Sequence, residues 1–262
     1  MFWGWLIGAL PAGNAHADTC RPTQPLTPAV VKSIGDGDTL QLADGRRLRL
    51  VGVNTPELRH GREPEQPQAV AAKRALAQLL PAGATVYLQP GAAPRDRHGR
   101  LLAHAFRSQR GDSIEAELLR RGFGFRVAIP PNLAYQDCFA AAEGEARRAA
   151  RGVWREPAFA PRPAASLTDA GFRRVRARVV KVEESAGSWW LDTDGPLVLR
   201  LDKADLRYFR EGANDWAGDP KGWLGRTVTV RGWVVDRAQQ AAVRKRKMKP
   251  LMLRLQHISM LE

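Results

Sequence analysis

Asp36-Gly37-Asp38-Thr39, the stretch from Arg49 through Val53-Asn54-Thr55-Pro56-Glu57, and Asp96-Arg97-His98-Gly99-Arg100 gather carboxylates, an amide and guanidinium groups into three short clusters. Carboxylate, amide and backbone carbonyl oxygens are the donors a hard divalent cation takes. A carboxylate can also orient a water or accept its proton. A planar guanidinium fork can neutralise phosphate oxygens, which a point-charge lysine does less well. Taken singly, each cluster is an ordinary turn or hairpin tip. Taken together, they place charge where hydrophobic patterning does not require it.

The elements that must position these residues follow from the sequence pattern. Residues 30–34, 39–43 and 46–53 read as strands, the last two joined by the Asp44-Gly45 hairpin signal. Residues 66–80 read as an Ala/Leu-rich helix ending at Pro81, and 85–89 and 101–106 as strands around a polar turn at 96–99. Asp112, with Glu115 three residues on, spells a capping box for a helix over 114–121 that Gly122 stops. A last helix spans 133–151 and ends at Gly152. Strands with helices inserted late describe a small Greek-key barrel.

In this order and on these strands, the three clusters resemble the staphylococcal-nuclease (thermonuclease) family. The resemblance spans residues 30–154 and includes the closing Gly152-Val153-Trp154. It implies an OB-fold barrel that hydrolyses phosphodiester bonds of DNA, RNA or both with a divalent metal, calcium first. Asp38 falls at the family's calcium carboxylate, and Asn54 and the Thr55 carbonyl at its other ligand positions. Glu57 falls at the carboxylate that orients or deprotonates the attacking water. Arg49 and Arg100 fall at the two guanidinium groups that clamp the phosphate. The resemblance further implies endonucleolytic cutting with little sequence preference and 3′-phosphate products.

Two departures stand out. Asn54 replaces an aspartate of the best-known member, so the metal site loses a formal charge and its calcium affinity should fall. The aromatic residues that sandwich a base in that protein are not reproduced. His98 takes the place of one, and the segment around Ala128 and Pro130 offers no ring where others would fall. Retained catalytic groups with an altered base pocket point to a working, differently selective enzyme. Arg46 and Arg47 match no motif and read as solvated or backbone-tracking charges, His104 as a structural strand residue, and His60 and Glu63 as part of an exposed loop.

Residues 156–170, rich in Pro and Ala, read as a linker. Beyond it lie strand-like runs and one helical stretch near 203–209, the pattern of a second OB-like barrel. The expected division is therefore a leader over 1–17, a nuclease-like domain over 28–155, the linker, and a second domain over 171–262. The second domain brings Trp189, Trp190, Trp223 and Trp233 together with the basic run Arg244, Lys245, Arg246, Lys247 and Lys249. Rings beside cations are how such barrels hold single strands; core tryptophans with a solvated basic hairpin are the alternative.

The chain has 262 residues, 44% hydrophobic and 26% charged, a balance that suits folded domains rather than disorder. No glycine period, heptad run or repeated long apolar segment exists, which excludes collagen, coiled coil and polytopic membrane proteins. The net charge of +14 attracts polyanions, and residues 170–262 hold +8 of it. Residues 1–10 are apolar, and Ala15-His16-Ala17 is a cleavage signal with Asp18 as the mature start, although no basic residue precedes the apolar stretch. Export to the periplasm or medium fits the two cysteines, since a Cys20–Cys138 disulfide would tie the mature N-terminus to the first domain; two free thiols are the alternative. No C-x-x-C pair exists, so neither dithiol redox chemistry nor a cysteine zinc site is suggested. The expected molecule is a monomer without a small-molecule cofactor or a membrane span in the mature chain. The rival is a non-catalytic nucleic-acid-binding module, which loss of Glu57, Arg49 or Arg100 would have favoured. A basic envelope protein binding glycans or lipid would explain the charge but not the clusters.

Overall fold

Alternating apolar residues build the first barrel. The computed structural model describes residues 20–59, 61, 64–210 and 215–262; the leader over 1–17, His60 and Glu63 lie outside the described residues. Strands β1 (Thr27–Ile34), β2 (Thr39–Leu42) and β3 (Arg47–Leu50) form an antiparallel meander. The expected strand over 46–53 breaks after Leu50, and Val53–Asn54 forms a separate strand, β4. Gly52 is the reason: its φ is +85°, and a Cβ there would drive into the Phe139 ring. Strands β5 (Thr85–Arg95) and β6 (Leu101–Phe106) complete a barrel of order β1-β2-β3-β6-β5, in which β3 and β6 run parallel. Its inward residues include Leu40, Leu42, Leu48, Leu50 and Val86, all buried. Strand β7 (Phe125–Arg126) pairs only with β4, setting Asn54 opposite Phe125.

Helices α1 (Ala69–Leu79), α2 (Ile114–Arg120) and α3 (Gln136–Arg148) cover this barrel. The helix cap falls one residue later than its sequence signature, and no reciprocal box forms with Glu115. Ser113 caps α2 by accepting the Ala116 amide at 3.2 Å. Glu115 is fully buried; it accepts the Ser113 hydroxyl at 2.7 Å and the Ala105 amide at 3.0 Å, so it ties the helix to β6. Cys20 and Cys138 are bonded, joining the start of the described chain to α3 across 118 residues of sequence.

The second barrel repeats the connectivity. Its strands are β9 (Gly171–Glu184), β10 (Ser188–Thr193), β11 (Leu197–Asp202), β12 (Thr227–Asp236) and β13 (Leu251–Leu255). They close in the order β9-β10-β11-β13-β12, again with the third and fifth strands parallel. Residues 156–170 are not a free tether. Strand β8 (Arg162–Pro163) pairs with β9, and Ala164 and Leu167 are buried in the second core, because apolar side chains here find a sheet to cover. Short helices α4 (Arg207–Arg210) and α5 (Ala241–Lys245) lie in the β11–β12 and β12–β13 connections. Among the described residues no helix is long and apolar enough to cross a membrane.

The barrels meet along a seam of rings and buried charge. Phe125 contacts Trp154, Phe159 and Phe172 at centroid distances of 5.2, 5.5 and 5.3 Å. Arg231 of β12, 4% exposed, reaches both carboxylate oxygens of Glu143 on α3 at 2.8 Å. Glu143 also accepts the Arg126 amide at 2.6 Å, so one carboxylate holds β7 and β12 together.

Candidate active site

The site begins in the turn between β1 and β2. Gly37 leaves room there: a Cβ would come within 2.6 Å of the Thr55 hydroxyl and 2.7 Å of the Ala72 methyl. The turn delivers Asp38 into the barrel mouth, 4% exposed, where its carboxylate is surrounded by donors. Oδ2 accepts the Thr55 amide at 2.8 Å and its hydroxyl at 3.1 Å, Oδ1 accepts the Thr39 hydroxyl at 3.2 Å, and Arg49 Nε lies 3.0 Å away. Burial pushes the Asp38 carboxyl up to about 6, opposed by Arg49, reinforced by the charge of Asp36 and, more weakly, of Glu57, and opposed again by the Thr55 amide.

Arg49 projects from β3 into the same pocket of charge. Its Nη1 donates to the carbonyls of Leu50 and Val53 at 2.5 and 2.8 Å, and its Nη2 to Asn54 Oδ1 at 3.3 Å. The guanidinium therefore balances Asp38 and orients Asn54, and most of its fork is engaged inside the protein. Arg100 arrives from the β5–β6 turn. Asp96 builds that turn by accepting the amides of His98 and Arg100 at 2.9 Å each, and it holds Arg100 Nε at 2.7 Å. Against the upward push of burial, Arg100 and these amides hold the Asp96 carboxyl below its ordinary value. Arg49 and Arg100 line one cleft, although they lie 51 positions apart in sequence.

Glu57 stands on the other flank. It is exposed, its backbone pairs with Gln66 in both directions, and its side chain lines a separate cavity with Asp36, Thr39, Arg47 and Arg59. Asp38 feels both Glu57 and Arg49. His98 sits exposed at the turn tip with its ring nitrogen 3.1 Å from Arg97 Nε.

The donor set fits a hard cation in type. Asp38 Oδ1 and Asn54 Oδ1 are both within 3.3 Å of one guanidinium, so the two oxygens already face a positive charge, and Thr55 adjoins them. Among the described residues no three His, Cys, Asp or Glu side chains converge as a metal cluster. One carboxylate, that of Asp38, and the Asn54 amide oxygen stand together here, so a single acid contributes charge at this point.

The tryptophan pair of the second barrel is divided by the strand pleat. Trp189 packs against the second core, whereas Trp190 stands between the guanidinium groups of Arg200 and Arg237, 5.4 and 5.6 Å from its centroid. Trp190 shares a cavity with Arg246, Lys247 and Lys249, although Glu183, Glu184 and Asp192 line it too. Arg244 and Lys245 end α5 and are exposed. Trp223 is core, 0% exposed. Two features escaped the sequence reading. Glu115 lies 3.5 Å from buried His104, invisible because only the α2–β6 packing joins them. Trp233 lines the cleft of Arg49 and Arg100 from the other barrel.

Residues 47–156 match the family model described as staphylococcal nuclease homologue. The chain is 31% identical over 128 residues to a thermonuclease of Staphylococcus intermedius, covering 48% of this chain and 74% of the relative. It belongs to the staphylococcal nuclease homologue family. It is also 30% identical over 153 residues to endonuclease YncB of Bacillus subtilis, covering 56% of this chain and 70% of the relative. The family match ends two residues past Trp154, so the second barrel lies beyond the part that defines the staphylococcal nuclease homologues.

Proposed function

We propose that the chain is an exported, divalent-metal-dependent nuclease that cuts DNA, RNA or both within the strand, with low sequence preference and 3′-phosphate products. The observation that supports this most is the convergence of Arg49 and Arg100 on one cleft, beside a buried Asp38 held in contact with Asn54 and Thr55 through Arg49 and its own hydrogen bonds. Asp38, Asn54 and the Thr55 carbonyl would hold the cation, most plausibly calcium by donor type. When bound, it supplies positive charge against the phosphate and a polarised water. Glu57 orients or deprotonates the attacking water from the flank opposite the arginines. Arg100, fixed by Asp96, and Arg49 stabilise charge that builds on the phosphate oxygens. The second barrel adds strand-binding surface through Trp190 and the cations of 246–249.

Incubating the full chain with plasmid DNA and with RNA, plus calcium or plus chelator, tests the proposal. Fragmentation with calcium and none with chelator is expected. Retention of intact nucleic acid on the protein under both conditions would replace the enzyme by a binding module.

A further inference from the structure

The first barrel supplies cations for a phosphate but no ring for a base: the segment facing the cleft presents Val127 and Ile129. A ring comes instead from the second barrel. Trp233 on β12 follows the pleat that buries Val234 and is itself 38% exposed. It lines two adjoining clefts, of about 240 and about 280 Å³, which share Val127, Ile129 and Trp233. The first holds Arg49 and Arg100; the second is rimmed by Arg97, Arg126 and Arg254. Arg126 Nε is buried without a hydrogen-bond partner, 3.8 Å from a carboxylate oxygen of Glu143. Asp96 also lines the first cleft, but its carboxylate is paired with Arg100.

The ring is held in place. Trp233 lies opposite Phe172 in the β12–β9 register, with ring centroids 5.2 Å apart at 74°. Phe172 packs on Phe125, and Phe125 pairs with Asn54. Two residues before Trp233, the Arg231–Glu143 ion pair locks β12 to α3. A continuous run of contacts thus connects Asn54 to an exposed indole. An apolar slot with an aromatic wall, Arg49 and Arg100 at one end and further arginines at the other suits a single-stranded nucleic acid with an unstacked base.

We propose that this inter-barrel cleft is a base-binding subsite, in which Trp233 stacks on a nucleotide base adjacent to the phosphate held by Arg49 and Arg100. The inference rests on the nuclease reading. It makes the second barrel part of the substrate site and explains how a base can be held without the rings missing from the first barrel.

The test uses the full chain and a labelled single-stranded oligonucleotide in chelator, read by anisotropy, and separately KM and kcat on single-stranded DNA with calcium. Trp233→Ala should weaken binding by about 5- to 150-fold and raise KM, with kcat changed less, the range set by stacking one base on a ring. Trp233→Phe should recover most of the affinity, and replacing bases by abasic positions should weaken the native protein more than Trp233→Ala. If Trp233→Ala fails to fold, Ile129→Glu, on an exposed residue of the same slot, decides by the same readouts. Native affinity in Trp233→Ala, or in Ile129→Glu where that variant must decide, overturns the subsite even if cleavage is normal. Absence of any cleavage by the native chain overturns the nuclease reading instead, while the anisotropy series still reports on the subsite.

Discussion

The two barrels have the same strand order and the same parallel pairing of third and fifth strands, yet they place polar residues differently. In the first, Asp38, Thr39, Asn54 and Thr55 are buried at the barrel mouth and hydrogen-bond with one another or with Arg49. In the second, the inward positions Val175, Val179, Leu191, Leu199 and Leu253 are apolar. Its buried Arg231 belongs to the seam instead, paired with Glu143 of the other barrel. One topology therefore encloses a polar chamber in one copy and a mostly apolar core in the other. What separates them is a few polar and charged residues on turns and strand ends, placed on a shared topology.

That contrast can be broken at several points. The first barrel is stapled by Cys20–Cys138 and the second has no cysteine. Cys20→Ser should destabilise the first barrel by about 4–5 kcal/mol, the loop-closure value for a span this long. Urea unfolding followed by amide exchange should show the loss in α3 and the first barrel; equal loss in both barrels would mean they unfold as one unit. Next comes chemistry. Glu57→Gln should lower turnover by about 10²-fold or more with an unchanged melting temperature, because Glu57 is exposed. Arg100→Lys should lower kcat by about tenfold or more through loss of the planar fork, and a native rate in both variants would empty the first barrel of its assigned role.

Asn54→Asp sharpens the contrast further by adding charge to the chamber. It should tighten calcium binding on the order of tenfold by calorimetry, since a charged oxygen ligand replaces a neutral one. Equal or weaker binding would place residue 54 outside the coordination sphere. The remaining test concerns the outer face of the second barrel. Trp190→Ala should reduce affinity for single strands by about 1–3 kcal/mol while leaving turnover on short substrates unchanged. Neutralising Arg246, Lys247 and Lys249 should flatten the salt dependence of binding by at most a few units of slope. No change in either would leave this face a support alone.

Much of this was legible because it is local. Turn chemistry at Asp44-Gly45 and Gly99 and the helix stop at Gly122 depend on neighbours in sequence, and these turns and this stop form where expected, although the strand expected over 85–89 runs on to Arg95. The three charged clusters were also visible, since their residue types conflict with simple packing. Other features depended on contacts the chain makes only when folded. The strand over 46–53 breaks at Gly52 because Phe139 arrives from α3, and the α2 cap shifts to Ser113 because Glu115 is drawn to Ala105 on β6. Trp189 and Trp190 are adjacent in sequence but divided by the pleat, and residues 156–170 fold because a sheet edge accepts them. The sequence by itself determined which groups could act and which segments would be strands. Only tertiary structure decided that Arg49 and Arg100 share a cleft, that Asp38 is buried among donors, and that Trp233 faces them from the other barrel. Strand closure and barrel docking are long-range events, set by register and buried area across the whole chain rather than by any window of neighbouring residues.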